Sequence, residues 1–210
     1  MTNKKVALII GAGDSLGSAV ARVFAQNNFI TVVARRNGDQ LSPLKEEIEK
    51  NGGKCFAYSL DARKEEDVIN FIDKSRKEFK SLPPEDISFP RTVSNVKKYH
   101  ANSTIYAKGT PIHARGALLF NHYVKKKKLT NKYSLIENGE KIKFCYLKKP
   151  NIIQENVISF IQDFPKELDL VKYVDYDLQF EKSFVEPLKA ILDAIGWNVE
   201  KTVNLELFFT

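Results

Sequence analysis

The sequence predicts an α/β start of the βαβαβ kind over residues 1–70, followed over 71–210 by an α+β, mostly helical lobe. Three observations lead there. Residues 6–10 are a continuous apolar run that breaks into Gly11-Ala-Gly13-Asp-Ser-Leu-Gly17 and then into helix-spaced apolar residues. Strand-like and helix-like stretches alternate as far as Asp61 and then lose that rhythm. The charge is also segregated. Residues 91–150 hold 14 Lys+Arg against Glu137 and Glu140, a net +12 in a chain whose total is +7, so the remainder sums to −5.

Each element has its own reason. Lys5–Ile10 reads as a strand covered on both faces, which favours a parallel sheet. Ser18–Gln26 repeats its apolar residues at helical spacing. Ile30–Ala34 is a β-branched strand ending at Arg35-Arg36. Leu41–Asn51 is an amphipathic helix that Gly52-Gly53 stops. Lys54–Leu60 is a third strand, and Glu65–Lys80 a helix that Pro83-Pro84 ends. Thr130–Leu147 reads as a small β unit turning at Asn138-Gly139. Phe180, Phe184, Leu188, Ile191, Leu192 and Ile195 form an i, i+4 stripe, predicting a helix packed on the basic lobe.

Composition excludes several classes. No run reaches the eighteen apolar residues of a membrane span, and the first apolar run stops at Gly11 without a cleavage site, so a cytoplasmic protein is expected. Cys55 and Cys145 stand far apart in apolar contexts and read as reduced core thiols. No metal site is expected. His100 and His122 lack ligand spacing, and Asp175 and Asp177 read as acids flanking a helix start.

The glycine loop implies a phosphate-binding turn. Gly11 permits the turn out of the strand, Gly13 a close backbone approach, and Gly17 tight packing of the helix whose N–H groups face the phosphates. With G-x-G-x-x-x-G spacing, Arg35, Arg36 and Asp61, residues 1 to about 67 resemble the start of the short-chain dehydrogenase/reductase family, a truncated Rossmann fold. The resemblance implies that Gly11, Gly13, Ser15, Leu16 and Gly17 hold a dinucleotide. It also implies that Arg35 and Arg36 favour the 2′-phosphate of NADP and that Asp61 lies near the adenine. Ser15 departs from the family's usual glycine. The family's Asn-Asn-Ala-Gly-like turn does not follow, and Tyr123-x-x-x-Lys127 matches its Tyr-x-x-x-Lys only within a run of four lysines. No catalytic residue is assigned.

From about Phe71 the chain resembles the thumb and carboxyl-terminal tail of tailed-phage family B DNA polymerases. The residues that carry this are Ile87-Ser-Phe-Pro-Arg91, Tyr99, Gly109-Thr-Pro-Ile-His-Ala-Arg-Gly116, Asn138-Gly-Glu-Lys-Ile-Lys143 and residues 174–184. The resemblance implies a lobe that grips primer–template duplex, with Pro111, His113, Arg115 and Gly116 in a loop close to its backbone. A basic lobe of this kind expects a polyanion. Arg91, Lys97, Lys98, Lys108, Arg115, Lys125, Lys126 and Lys127 are the candidate phosphate contacts. Leu205-x-x-Phe208-Phe209 matches the L-x-x-F-F core that tethers polymerases to a sliding clamp. The expected protein is thus a hybrid joined near residues 65–80: a DNA-binding thumb fused to half a dinucleotide fold. An NADP-dependent short-chain oxidoreductase is the alternative.

Overall fold

The computed structural model describes residues 6–101 and 104–197. The chain divides into two compact units, residues 1–75 and 76–210.

The first unit alternates strand and helix: β1 (Val6–Ile10), α1 (Leu16–Gln26), β2 (Ile30–Arg35), α2 (Ser42–Lys50), β3 (Lys54–Ser59) and the start of α3 (Glu65–Phe79). Its strands are parallel in the order β1-β2-β3, with Leu8 opposite Val32 and Val32 opposite Phe56. One face of this sheet carries the core: Ala21, Val33, Leu41, Leu44, Ile48 and Cys55 interlock there with Ile9 and Ala57. Side chains alternate along a strand, so Val6, Leu8, Ile10, Ile30, Val32, Phe56 and Tyr58 share the other face. On that face Phe71 of α3 meets Tyr58 at 5.7 Å. Val6 and Ile10 stay 61% and 46% exposed. In a complete doubly wound sheet the next strand adds beside β1. Here β1 pairs with β2 alone among the described residues.

The second unit is α+β. Its elements are α4 (Pro84–Ile87), β4 (Phe89–Thr92), α5 (Ile112–Lys126), β5 (Lys141–Tyr146), β6 (Val157–Phe160), α6 (Tyr176–Phe180) and α7 (Glu186–Ala194). The strands form an antiparallel sheet, β4-β5-β6, on which α5 packs. Leu119, Phe120, Ile142, Ile158, Phe160 and Phe164 fill the core between them. Gln179 pins α6 inward: buried, it donates to the Ile87 carbonyl at 2.8 Å and accepts from the Tyr146 N–H at 3.2 Å.

Three expectations are corrected here. Pro111, His113, Arg115 and Gly116 do not form a loop: Pro111 is the N-cap of α5, and the other three lie within its first turns. Asn138-Gly139 does turn, but not as a hairpin between residues on either side of it. The partner of β5 is β4, with Thr92 opposite Lys141, and the turn is held against that strand by a bond from the Gly139 N–H to the Val93 carbonyl. The stripe on the final helical run is broken as well. Residues Glu181–Val185 form a π turn between α6 and α7. One extra residue in the turn rotates everything after it by about 100°. The buried positions are therefore Phe180, Val185 and Leu192, while Ile191 and Ile195 are 62% and 55% exposed. Asp175 caps α6, accepting from the Leu178 N–H at 3.1 Å, as an acid flanking a helix start should. Both cysteines are buried free thiols, and burial pushes Cys145 up to about 12. No described helix is long and apolar enough to cross a membrane.

Candidate functional site

The first unit has an open cleft of about 670 Å³ at the carboxyl ends of its three strands. Gly11 and Gly13 line it from the turn after β1, Arg35 and Arg36 from the end of β2, and Asp61 from just beyond β3. Three chain segments far apart in sequence thus meet at one place because parallel strands end together. Gly11 leaves β1 at φ +81°. Gly17 allows α1 to sit hard against the turn, where a Cβ would lie 2.6 Å from Ala12 Cα and 2.8 Å from the Gly11 carbonyl. Ser15 and Leu16 occupy the start of α1, outside the cleft lining, with Leu16 77% exposed. The Ser18 hydroxyl turns back to the carbonyls of Asp14 and Ser15. The first N–H groups of α1 then have no side-chain cap.

Three charged contacts set the field of this cleft. Arg35 Nη1 donates to Asp14 Oδ1 at 2.9 Å. Both Asp61 carboxylate oxygens accept from Arg63, at 2.9 and 2.8 Å. That fork, with Arg36 adding a weaker attraction, holds the Asp61 carboxyl well below the usual carboxylate range. Arg36 is exposed and has no carboxylate partner within bonding distance among the described residues. Asn37, Gln40, Leu60, Ala62 and Arg63 also line the cleft and were not predicted. Each lies within a few residues of a strand end, which was the available signal.

In the second unit the predicted DNA contacts fall into two groups. Arg115 and Lys127 are engaged within the fold. Arg115 Nη2 donates to Asn156 Oδ1 at 2.6 Å and its guanidinium lies 5.6 Å from the Tyr106 ring centre. Lys127 Nζ donates to the Glu167 carbonyl at 2.6 Å. Gly116 is buried in α5 where a Cβ would come within 2.9 Å of the Ser159 nitrogen, so strand packing accounts for this glycine. His113 is half-buried, and burial and then the nearby Arg91 push its pKa down. Arg91, Lys97, Lys98, Lys108, Lys125 and Lys126 make no ion pair among the described residues. Lys97 and Lys125 line a second cleft, of about 990 Å³, together with His100 and His122. The other predicted contacts do not line it. Leu205, Phe208 and Phe209 lie outside the described residues. Tyr123 and Lys127 are both in this second unit, at the end of α5.

Comparison with known proteins gives two likenesses. The short chain dehydrogenase family model matches residues 5–83. An uncharacterized oxidoreductase, YxbG, of Bacillus subtilis (strain 168) is 36% identical over 70 residues, 33% of this chain and 26% of that protein. A short-chain dehydrogenase structure from Rhodopseudomonas palustris is 44% identical, covering 37% of this chain and 36% of that one, with a TM-score of 0.32. A metagenomic short-chain oxidoreductase solved in complex with NADP is 23% identical over 35% of this chain and 34% of that one, with a TM-score of 0.34. The DNA-directed DNA polymerase of Enterobacteria phage T4 is 26% identical over 149 residues, 69% of this chain. The chain spans 26% of the curated oxidoreductase and 16% of the polymerase. Residues 5–83 thus resemble the opening of the short chain dehydrogenases, and over 149 residues the chain also resembles the phage T4 DNA polymerase.

Proposed function

We propose that the first unit is the adenosine–pyrophosphate half of an NADP site in an oxidoreductase of the short-chain kind. The observation that carries this is the single cleft that gathers Gly11, Gly13, Arg35, Arg36 and Asp61 within a stretch matching that family. The residues fit the group. The glycine turn, followed by an α1 start without a side-chain cap, would take the pyrophosphate, Arg36 would take the 2′-phosphate, and Asp61 stays ionised to accept from an adenine amino group. When bound, the nicotinamide would carry the hydride, which NADPH gives up and NADP+ takes on. Tyr123 and Lys127 are given no part in its transfer, since Lys127 Nζ is committed to the Glu167 carbonyl. Calorimetric titration tests the reading. NADPH should bind more tightly than NADH, and Arg36→Ala should erase the difference. Failure of either nucleotide to bind at about millimolar concentration would remove the proposal.

A second reading concerns the second unit, and the unpaired cations favour it. We propose that Arg91, Lys97, Lys98, Lys108, Lys125 and Lys126 rest on the phosphates of primer–template duplex. The net +12 of residues 91–150 and the likeness to the phage polymerase support this. The segment Leu205–Phe209 is proposed as the plug for a sliding clamp. The affinity for duplex should fall steeply with salt, each neutralised phosphate adding about −0.9 to the log–log slope. A flat salt response rules the duplex reading out.

A further inference from the structure

We infer that the cleft between Val96–Lys97 and α5 captures an unpaired nucleotide of a DNA strand, its base on the floor and its phosphates on the rim. The inference rests on the duplex reading of the second unit but assigns a different ligand to a defined place. The floor is apolar: Val96, Leu118 and Ile136 are buried there, with Ile105 and Leu135 half-buried beside them. A duplex backbone has no use for such a floor, because phosphates seek charge and stay wet. An unstacked base does, since it has lost its neighbours and presents two apolar faces.

The rim has the complementary character. Lys97 and Lys125 line the cleft and are exposed, and neither has a carboxylate partner among the described residues. His100 and His122 are exposed beside them, and imidazole planes serve as stacking surfaces for single-stranded bases. Asn121 bonds both ways to the Ile136 backbone at 2.8 Å and so fixes the floor. Asn138 accepts from the Asn95 N–H and likewise ties the wall together. Among the described residues Glu137 is the one carboxylate lining the cleft.

The test uses the full-length chain and three probes. The first is a blunt duplex, the second is the same duplex with a 2-aminopurine nucleotide unpaired in a short overhang, and the third is 2-aminopurine riboside monophosphate. The overhang should bind about tenfold more tightly than the blunt duplex, the worth of one stacked base, and its 2-aminopurine emission should change on binding. His122→Ala should reduce both that advantage and the emission change, and Lys97→Ala with Lys125→Ala should weaken the overhang complex more than the blunt-duplex one; all three positions are exposed, so folding is preserved. Competition by the free monophosphate at the overhang's own affinity would make a free nucleotide the occupant and defeat the strand assignment. If duplex binds with a steep salt dependence but the overhang adds nothing, this inference is wrong and the duplex reading survives. If no DNA binds, both fall together.

Discussion

Arg35 Nη1 donates to Asp14 Oδ1 at 2.9 Å, tying the end of β2 to the glycine turn. The two side chains are unequally placed, Arg35 at 23% exposure and Asp14 at 91%. The arginine is therefore held in the cleft wall while the carboxylate stands in solvent. In the proposed complex that carboxylate works against the cofactor, because it neutralises a cation the phosphates need. Asp14→Ala should tighten NADPH binding by about 0.2–1 kcal/mol at low salt, the range of an exposed pair, and less as salt rises. Titration calorimetry at two ionic strengths measures this. Weaker binding would mean that Asp14 positions Arg35 and does not compete for it.

The free edge of β1 gives a second prediction. Its residues Val6 to Ile10 are all apolar, and it carries neither a lysine nor a proline to discourage pairing. Val6 is 61% exposed at the start of that strand. Val6→Lys should lower concentration-dependent light scattering while leaving the melting temperature within about 2 °C, because little buried surface is lost. Unchanged scattering would show that association runs through another surface.

The π turn reverses the ranking of mutations that the sequence pattern implies. Phe180 is fully buried, with Phe79 edge-on at 5.2 Å and the Arg76 guanidinium 4.7 Å from its ring centre. Phe180→Ala should cost about 3–5 kcal/mol. Ile191 belongs to the same sequence stripe, yet Ile191→Glu should change stability by no more than about 0.5 kcal/mol. Denaturant unfolding of both variants decides the matter. A large loss from Ile191→Glu would mean the phase of α7 is not that of the structure.

What was legible in the sequence was what local period determines. The strands and helices of the first unit stand where their apolar spacing puts them, since each is specified within ten or so residues. Gly11, Gly13, Arg35, Arg36 and Asp61 could be named because each follows directly on a strand, and parallel strands deliver their ends to one place. The pairing of Thr92 with Lys141 could not be read, because nothing local in either strand identifies a partner so distant. The π turn was hidden too, as one inserted residue changes the face of every position after it without altering composition. His100 and His122 looked unrelated because their shared cleft is made by tertiary packing, not by spacing. The charge of Arg115 is visible in sequence, but its bond to Asn156 is not.

Glu167 supplies the last prediction, one of acid stability. It sits on a short 3-10 turn, Lys166–Leu168, and its carboxylate accepts from Lys132 Nζ and from the Tyr133 hydroxyl. The hydrogen bond from Lys132, then that from Tyr133, lowers its pKa from the ordinary 4.5 to about 2. A carboxyl whose pKa is lower in the folded state releases its proton more readily there than in the unfolded chain. Its contribution is therefore complete above pH 4.5 and is lost as pH falls toward about 2. Glu167→Gln keeps the shape and removes the titration. At pH 7 the wild-type chain should be the more stable. The gap between the two melting temperatures should close progressively between pH 4.5 and about 2 and be absent below that. Tyr133 gives an independent check. Burial, followed by the bond to Glu167, raises its phenol to about 12. In Glu167→Gln an absorbance titration should find that phenol ionising at lower pH, because the carboxylate that opposed its charge is gone. A melting-temperature gap that stays constant from pH 7 to pH 2 would show that Glu167 acts through packing alone.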